Sequence, residues 1–338
     1  MDELIASHKA GRGLYTHRLC YHAVWKRDIT MAEKLISIST PWLQQRFGDI
    51  RALEIAADAG FDGVDFSTAH YGLDPYWNHW NKRPSDFDDV FAYDPDGFGE
   101  YFTRIRERAD SLGLSVFQTH GRVSGYGADE SANRQLRQEG EKDIRAAALL
   151  RSPYCVIHSV TTILMGRDAD PERMHALNYR MYTDLTDVIR ETGVKVALET
   201  FGNAVCGGEN GIDFFAIPEE FLKSYHSLDK NGFVLCVDSG HSNVASAFGY
   251  PKVDELVHLY GSDIKLLHLH DNHHTRDEHG LPFTGDIDWS ALMKALEEIH
   301  YDGAYNFEVN IEKFGPELSI ETTAFLAKVA RQLTAQSL

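Results

Sequence analysis

Short apolar runs alternate along the chain with longer segments in which apolar residues recur at helical spacing. Most of the short runs are continuously apolar, as is typical of parallel strands that helices cover on one face and a core covers on the other. The pattern predicts eight strands, at residues 35–39, 63–67, 114–119, 154–160, 194–199, 232–238, 264–270 and 304–309. Helical segments separate them, and glycines such as Gly60 and Gly113 mark where helices end.

Eight β/α units in one chain favour a closed barrel over an open sheet. The sequence therefore predicts an α/β fold, a single (β/α)8 TIM barrel that spans residues 34–338 as one catalytic domain. No linker-like segment interrupts the units. Residues 1–33 precede the first strand, and we expect them to form an N-terminal extension that packs on the barrel.

Charge narrows the range of partners. Of 338 residues, 33 are Lys or Arg and 51 are Asp or Glu, which gives a formal net charge of −18. Such a balance repels phosphate backbones and anionic lipid headgroups, so we expect neither a nucleic-acid nor a membrane partner. The four cysteines lack paired spacing, and no secretory or membrane-spanning segment is visible. We expect a cytoplasmic protein.

Polar residues follow the apolar strand bodies, and in a parallel barrel these carboxyl-terminal strand ends form the active-site rim. Four consecutive predicted strands, the fifth to the eighth, end in Glu199, Asp238, His270 and Glu308. Three carboxylates that converged without a cation would repel one another, and this donor set suits a divalent ion. We predict one metal site there. His268, two residues before His270, is expected to lie deeper and to be structural.

Several short motifs carry a family resemblance. They are Leu198-Glu199, Val237-Asp238-x-x-His241, His268-x-His270-Asp271-Asn272, Arg276, Gly285-x-Ile287-Asp288-Trp289 and Phe307-Glu308. In order and placement they resemble the xylose-isomerase-like barrel superfamily over residues 35–335. The resemblance is greatest to its sugar (or sugar phosphate) isomerase and epimerase branch, which includes ketose 3-epimerases and inosose dehydratases.

The resemblance implies roles for individual residues. The four rim residues would bind one divalent ion, most often Mn²⁺, with Mg²⁺, Co²⁺ or Zn²⁺ as alternatives. His241 and Arg276 would contact oxygens of a small sugar substrate, and His120 and His158 would face the same cavity as further substrate-binding groups. No nucleotide cofactor is expected, because the glycines of residues 201–213 do not follow a G-x-G-x-x-G pattern that opens a helix.

The implied reaction is isomerisation or epimerisation of a small ketose, or of a related polyol-derived ketone, through an enediolate. A cation polarises the carbonyl, and a carboxylate on each side of the substrate removes and returns a proton. Glu199 and Glu308 are the predicted catalytic pair. The sequence leaves open the sugar, the choice among epimerisation, isomerisation and dehydration, and the oligomeric state, including a homo-oligomer. Few basic residues follow the late strands, which favours an unphosphorylated substrate.

Two alternatives stay open. The related apurinic-site endonucleases hold three zinc ions at matching positions. Here His120 and His158 would join Glu199 at a second ion, while His241, Asp277 and His279 would hold a third. A non-catalytic sugar-binding barrel is the other alternative, and it predicts a broken ligand set.

Two loops are expected to shape the site. The glycine-rich segment 201–213 would form a mobile lid. The second β/α loop would stack aromatic rings on the sugar, or pack them on the extension or another subunit. These aromatic and imidazole side chains are His70, Tyr71, Tyr76, Trp77, Trp80 and Phe87.

Overall fold

The centre of the structure, a computed structural model that describes residues 34–72 and 89–335, is a barrel of eight parallel strands. The strands are β1 (Ile36–Ser39), β2 (Gly63–Ser67), β3 (Ser115–His120), β4 (Tyr154–Val156), β5 (Lys195–Glu199), β8 (Phe233–Asp238), β9 (Ile264–His268) and β10 (Tyr305–Phe307). Between them in sequence, β6 (Asn203–Cys206) and β7 (Glu209–Ile212) form a separate antiparallel hairpin. Leu269 forms a parallel bridge with Phe307 between the last strand and its neighbour, which closes the ring.

Helices follow the strands on the outside. They are α1 (Pro41–Phe47), α2 (Asp49–Ala59), α3 (Pro95–Leu112), α4 (Glu130–Leu149), α5 (Thr162–Met165), α6 (Pro171–Thr183), α7 (Thr186–Thr192), α8 (Pro218–His226), α9 (Ser239–Ser246), α10 (Val253–Tyr260), α11 (Trp289–Glu298) and α12 (Ser319–Ala335). Short 3₁₀ turns lie at Val90–Ala92, Phe214–Ala216, Gly261–Asp263 and Pro316–Leu318. The predicted eight-stranded α/β barrel is confirmed.

Apolar side chains fill the layer between strands and helices, whereas part of the barrel interior is polar. Ile36 and Ile38 of β1 are fully buried in the hydrophobic core. Ser37, between them, donates to Asn306 of β10 at 2.9 Å, and Ser39, at the end of the strand, donates to Asp65 of β2 at 2.9 Å. The first two strands therefore alternate between apolar and polar residues, because their two faces meet different surroundings.

The fourth strand is shorter than its apolar sequence predicts. Regular pairing stops at Val156, after which Ile157 N donates to Ala197 O at 3.2 Å and His158 N to Arg122 O at 2.9 Å. The chain thus leaves the ladder while still bonded to β5 and to the segment that follows β3. The apolar segment before β5 forms two helices, α6 and α7, and the buried apolar residues of both belong to the hydrophobic core.

Two expectations fall wholly or partly outside the described residues. The N-terminal extension, residues 1–33, lies outside them, as do Tyr76, Trp77, Trp80 and Phe87 of the second loop. The two described members of that loop, His70 and Tyr71, are buried beside β2. In the described part of the chain, none of the helices combines the length and the apolar character needed to cross a bilayer.

Candidate metal centre and active site

The rim of the barrel at the carboxyl ends of its strands is built from the last residues of those strands. His120 ends β3, Glu199 ends β5, Asp238 ends β8 and His268 ends β9, while Glu308 follows β10 directly. All are buried. Parallel pairing brings these ends to the same side of the sheet, so side chains far apart in sequence meet around one axis.

The central cluster joins Glu199, Asp238, His268 and Glu308, with one ligand atom of each within 4.8 Å of the others. The Nδ1 atom of His268 lies 3.0 Å from Glu199 Oε1 and 3.2 Å from Glu308 Oε2. That buried nitrogen has no hydrogen-bond partner within the described part of the chain. A nitrogen that lacks a hydrogen bond and lies beside two buried carboxylates, in a cluster that includes a third, fits a divalent cation in its donor chemistry.

The imidazole in this cluster is that of His268, not the predicted His270. The strand ends at His268, two residues earlier than predicted, so the alternation of side chains does not continue to His270. The Nε2 atom of His270 lies 3.0 Å from Asp238 Oδ2 and 3.5 Å from Asp277 Oδ1. Its ring stacks on His279 with centroids 4.2 Å apart. His270 therefore lies at the edge of the cluster.

On one side of the cluster, two imidazoles face the second oxygen of Glu199. His158 Nε2 lies 3.0 Å and His120 Nε2 lies 3.5 Å from Oε2. Burial alone would raise the pKa of Glu199, but the imidazoles of His268 and His158 outweigh it and hold this pKa well below its usual range. Burial lowers the pKa of His158, so its imidazole is disposed to be neutral and able to accept a proton or bind an ion.

On the other side, Asp277 holds a second group of imidazoles. Its Oδ2 atom lies 2.8 Å from His279 Nε2 and 3.2 Å from His241 Nε2. Burial opposes protonation of His279, but Asp277 outweighs it and raises the pKa of this imidazole to about 10. His270, Asp277 and His279 also have ligand atoms within 4.8 Å of one another. This group lies beside Asp238, because His270 and His241 each contact both Asp238 and Asp277.

The Asp238-Ser-Gly-His241 motif fixes the positions of Asp238 and His241 at the start of α9. Asp238 is the N-cap of that helix, and its Oδ1 accepts a hydrogen bond from His241 N at 2.6 Å. A side chain at Gly240 would place its Cβ 1.8 Å from His270 Cε1, so glycine is required for the ring to fit. Local helix capping thus sets the positions of Asp238 and His241.

Comparison with known proteins places the chain in a family. A family model described as xylose isomerase-like TIM barrel matches residues 53–329. The chain belongs to this family. An inosose isomerase of Bacillus velezensis is 24% identical over 288 residues, which are 83% of this chain and 89% of that protein. Two uncharacterised proteins, of Sinorhizobium fredii and Methanocaldococcus jannaschii, are 30% identical, and the chain spans only 51% and 42% of their lengths.

Solved structures of other proteins share the fold at low identity. A crystal structure of the IolI protein with a bound zinc atom has a TM-score of 0.66 at 18% identity, covering 90% of this chain and all of that one (100%). A D-psicose 3-epimerase crystallised in the presence of D-fructose has a TM-score of 0.63 at 14% identity, covering 89% of this chain and 97% of the other. At these identities the likeness shows the fold.

Arg276, predicted to contact substrate, is exposed in the loop after β9. Within the described residues it makes no hydrogen bond or ion pair. The Nζ atom of Lys313, on the loop after β10, lies 3.1 Å from Glu278 Oε2. The contact of Arg276 with substrate stays a prediction.

Asp271 organises the loop that carries Asp277 and His279, a role that sequence reasoning missed. Its Oδ2 accepts a hydrogen bond from Trp289 Nε1 at 2.9 Å, and its Oδ1 accepts one from Ile287 N at 3.2 Å. A Cβ at Gly285 would lie 2.3 Å from Asn272 O. The Gly285-x-Ile287-Asp288-Trp289 motif therefore closes this loop against the end of β9. In the sequence, the role of Asp271 could have been inferred from the position of this motif shortly after it.

The segment after β5 forms the hairpin β6–β7, where the sequence predicted a mobile lid. The guanidinium of Arg167 donates to Ala204 O at 2.8 Å and also to Glu209 O, and so joins the two hairpin strands. A Cβ at Gly211 would lie 1.9 Å from Arg167 Nη1. The glycine at this position makes room for that guanidinium, and the hairpin is attached to the loop after α5.

Proposed function

We propose that this chain is a divalent-metal-dependent isomerase or epimerase that acts on a small polyhydroxylated ketone. The observation that carries the proposal is the convergence of Glu199 and Glu308 on the Nδ1 atom of His268, at 3.0 and 3.2 Å. Relatives named inosose isomerase and a structural neighbour named D-psicose 3-epimerase act on substrates of this class by name. The complete set of donors also supports an enzyme over a non-catalytic sugar-binding barrel.

Glu199, Asp238, His268 and Glu308 would hold the cation. When bound, a divalent ion polarises a substrate carbonyl and makes the neighbouring C–H bond more acidic. Mn²⁺ is the ion we propose, and the zinc in the IolI structure shows that a related barrel holds a divalent metal. His270 would then support Asp238 through the 3.0 Å contact between Nε2 and Oδ2.

Proton transfer would be shared unequally between the two glutamates. Glu308 keeps 11% of its side chain exposed, whereas Glu199 keeps 1%. Glu308 is therefore the carboxylate that a substrate can reach directly, and it would remove the proton next to the carbonyl. Glu199 Oε2 lies against His158, so the return of a proton on that side would use the Glu199–His158 pair.

The charges near the rim favour an unphosphorylated substrate. Phosphate sites draw on basic side chains or on helix N-termini with free N–H groups. In the loops after β9 and β10, Lys313 is already paired with Glu278, which leaves Arg276 as the one unpaired Lys or Arg residue there, and the first turn of α9 is capped by Asp238. The cavity is instead lined by imidazoles and carboxylates, which can bind hydroxyl groups and one cation.

A second candidate is a multi-zinc hydrolase. Its support is that ligand atoms gather in separate groups around the central cluster, with His120, His158 and Glu199 on one side and His270, Asp277 and His279 on the other. Such groups could hold further ions. The net charge of −18 argues against DNA as the substrate.

The test is a deuterium-exchange screen. The purified chain is stripped with a chelator, reloaded with Mn²⁺ and incubated in D2O with a panel of ketohexoses and inososes. We expect one substrate class to gain deuterium at the carbon next to the carbonyl. Asp238→Ala, which removes a central ligand, is the control and should lose both metal and exchange.

The same preparation separates the two candidates. No deuterium uptake by any ketone, together with two or three zinc ions per chain and cleavage of abasic DNA, would replace the isomerase with the hydrolase. Exchange with a single bound ion would exclude the hydrolase assignment.

A further inference from the structure

We infer that Asp65 is a positioning residue that fixes the ring of His268 so that Nδ1 faces the metal ligands. The inference rests on the proposed function, since it concerns the metal centre of that site. Asp65 lies on β2, across the barrel interior from β9, and both side chains are fully buried at 0% exposure. Its Oδ2 atom lies 3.2 Å from Nε2 of His268.

Asp65 is itself held from several strands. Its Oδ2 accepts hydrogen bonds from Ser39 Oγ at 2.9 Å and from Asn306 Nδ2 at 3.3 Å. These donors lie on β1 and β10, on one side of β2. Gln118 Nε2 on β3, on the other side, donates to the same oxygen at 3.3 Å, and His268 approaches from β9. These hydrogen bonds fix the carboxylate independently of the imidazole, which is required of a residue that orients a metal ligand.

Burial of the Asp65 carboxylate is unfavourable in free energy unless a partner compensates for it. A fully buried carboxylate loses its hydration and needs compensating charge. Among the described residues, the imidazole of His268 is the basic group within ion-pair distance of Asp65. Its other oxygen, Oδ1, has no hydrogen-bond partner in that part of the chain. Packing alone would be served better by an apolar residue in the interior of the barrel.

The choice of tautomer explains what the carboxylate contributes. A carboxylate is an acceptor, so it favours a proton on Nε2 and leaves the lone pair on Nδ1 for a cation. The amide nitrogen of Gln118, 3.0 Å from the same Nε2, is a donor and would favour the opposite tautomer, which cannot bind a metal through Nδ1. Because the charged acceptor is the stronger partner, Asp65 decides between them.

The test compares Asp65→Asn with Ser39→Ala in the full-length chain. Asp65→Asn keeps the shape of the side chain but removes the charged acceptor. Ser39→Ala removes another hydrogen bond to the same Oδ2 without touching the imidazole. Mn²⁺ affinity is measured by chelator competition, and folding is checked by circular dichroism. We expect Asp65→Asn to weaken Mn²⁺ binding by about 10- to 100-fold and Ser39→Ala by less than about threefold.

A spectroscopic readout separates orientation from general loosening. In the Zn²⁺-loaded wild type, the Nε2–H proton of His268 should give a downfield NMR resonance, because it is donated to a buried carboxylate. That resonance should move upfield in Asp65→Asn and stay in place in Ser39→Ala. Gln118→Met gives a second variant, and it should keep Mn²⁺ affinity within about threefold, because the amide is not the group that sets the tautomer.

The outcomes are distinguishable. Tight Mn²⁺ binding by the wild type with unchanged affinity in Asp65→Asn would overturn the inference and leave the proposed function intact. A tenfold or larger loss in Gln118→Met without one in Asp65→Asn would also overturn it. Failure of the wild type to bind Mn²⁺ at all would overturn the proposed function, and the inference with it.

Discussion

The Nε2 atom of His158 lies 3.0 Å from the Oε2 atom of Glu199. This contact makes Glu199 a carboxylate shared between two sets of imidazoles, because its other oxygen faces His268 and, at 3.5 Å, His241. Both oxygens of Glu199 therefore face imidazoles. The two glutamates of the proposed pair are therefore unequal, and His158 becomes the group through which one side of the reaction would exchange protons.

Replacing His158 by Gln should separate proton transfer from metal binding. The proposed function expects the bound metal to stay at one ion per chain, while deuterium exchange into the ketone falls by about 100-fold because the imidazole is lost. Elemental analysis and exchange rates measure the two effects. His175→Gln is the matched control, since His175 forms a similar pair with Glu220 at 2.6 Å away from the site. Loss of a bound zinc in His158→Gln would instead support the multi-zinc hydrolase.

Replacing His268 and His270 separately tests which imidazole binds the metal. His268 lies among three carboxylates, whereas His270 contacts Asp238 and the Asp277 group. We expect His268→Gln to abolish tight Mn²⁺ binding, and His270→Gln to weaken it by about tenfold, the usual effect of losing a residue that supports a ligand. Chelator competition on both variants gives the comparison. The reverse order of effects would restore the ligand set predicted from sequence.

The barrel could be predicted from sequence because its signal is repeated. Each β/α unit carries a short apolar run and a longer helical segment, and eight repetitions leave few other architectures. The boundaries were less accurate, because they depend on contacts between units. The end of β4 at Val156 is an example, since the residues that follow it bond to the backbone of Arg122 and Ala197. No local property of residues 157–160 encodes those partners.

The structure brings together side chains that the sequence placed at strand ends, and it differs from the sequence where side-chain orientation decides. Glu199, Asp238 and Glu308 follow from acidic residues at strand ends. The choice between His268 and His270 depends on where β9 stops, a matter of two residues. Asp65 was missed because its strand, Gly-Val-Asp-Phe-Ser, looks ordinary, and its partner His268 is about 200 residues away.

Asp213 gives a prediction about stability and pH. It is buried at the base of the hairpin, where its oxygens accept hydrogen bonds from Thr162 N at 2.9 Å and Phe215 N at 3.1 Å. Burial raises the pKa of this carboxyl to about 6, against about 3.9 in an unfolded chain. Between these two values the folded chain binds more protons than the unfolded chain, so stability falls as pH rises.

The measurement is the difference in unfolding free energy between the wild type and Asp213→Asn, taken from urea unfolding at pH 4 to 7 with chelator present. The contribution of Asp213 is largely present at pH 4 and is lost above about pH 6. The difference should therefore shift by about 2 kcal/mol against the wild type across this range. Asp187→Asn, with a side chain that is 97% exposed, is the control and should give a flat difference. A flat difference for Asp213→Asn as well would show that burial does not raise the pKa of the Asp213 carboxyl.

Glu308 is the group on which the proposed chemistry depends most directly. It follows β10, shares the Nδ1 atom of His268 with Glu199, and has the more exposed side chain of the two. Glu308→Gln keeps the size of the side chain and an oxygen for the metal but removes the base. Deuterium exchange next to the carbonyl should fall by about 100-fold or more. Mn²⁺ binding should weaken far less, because three of the ligands are unchanged.

Glu312→Gln is the matched control for Glu308→Gln. It alters a carboxylate on the same loop that pairs with Arg46 at 3.5 Å, and it should leave exchange unchanged. If Glu308→Gln exchanges deuterium at the wild-type rate while its metal content is intact, Glu308 serves only as a ligand, and the base must be sought among the imidazoles that face Glu199.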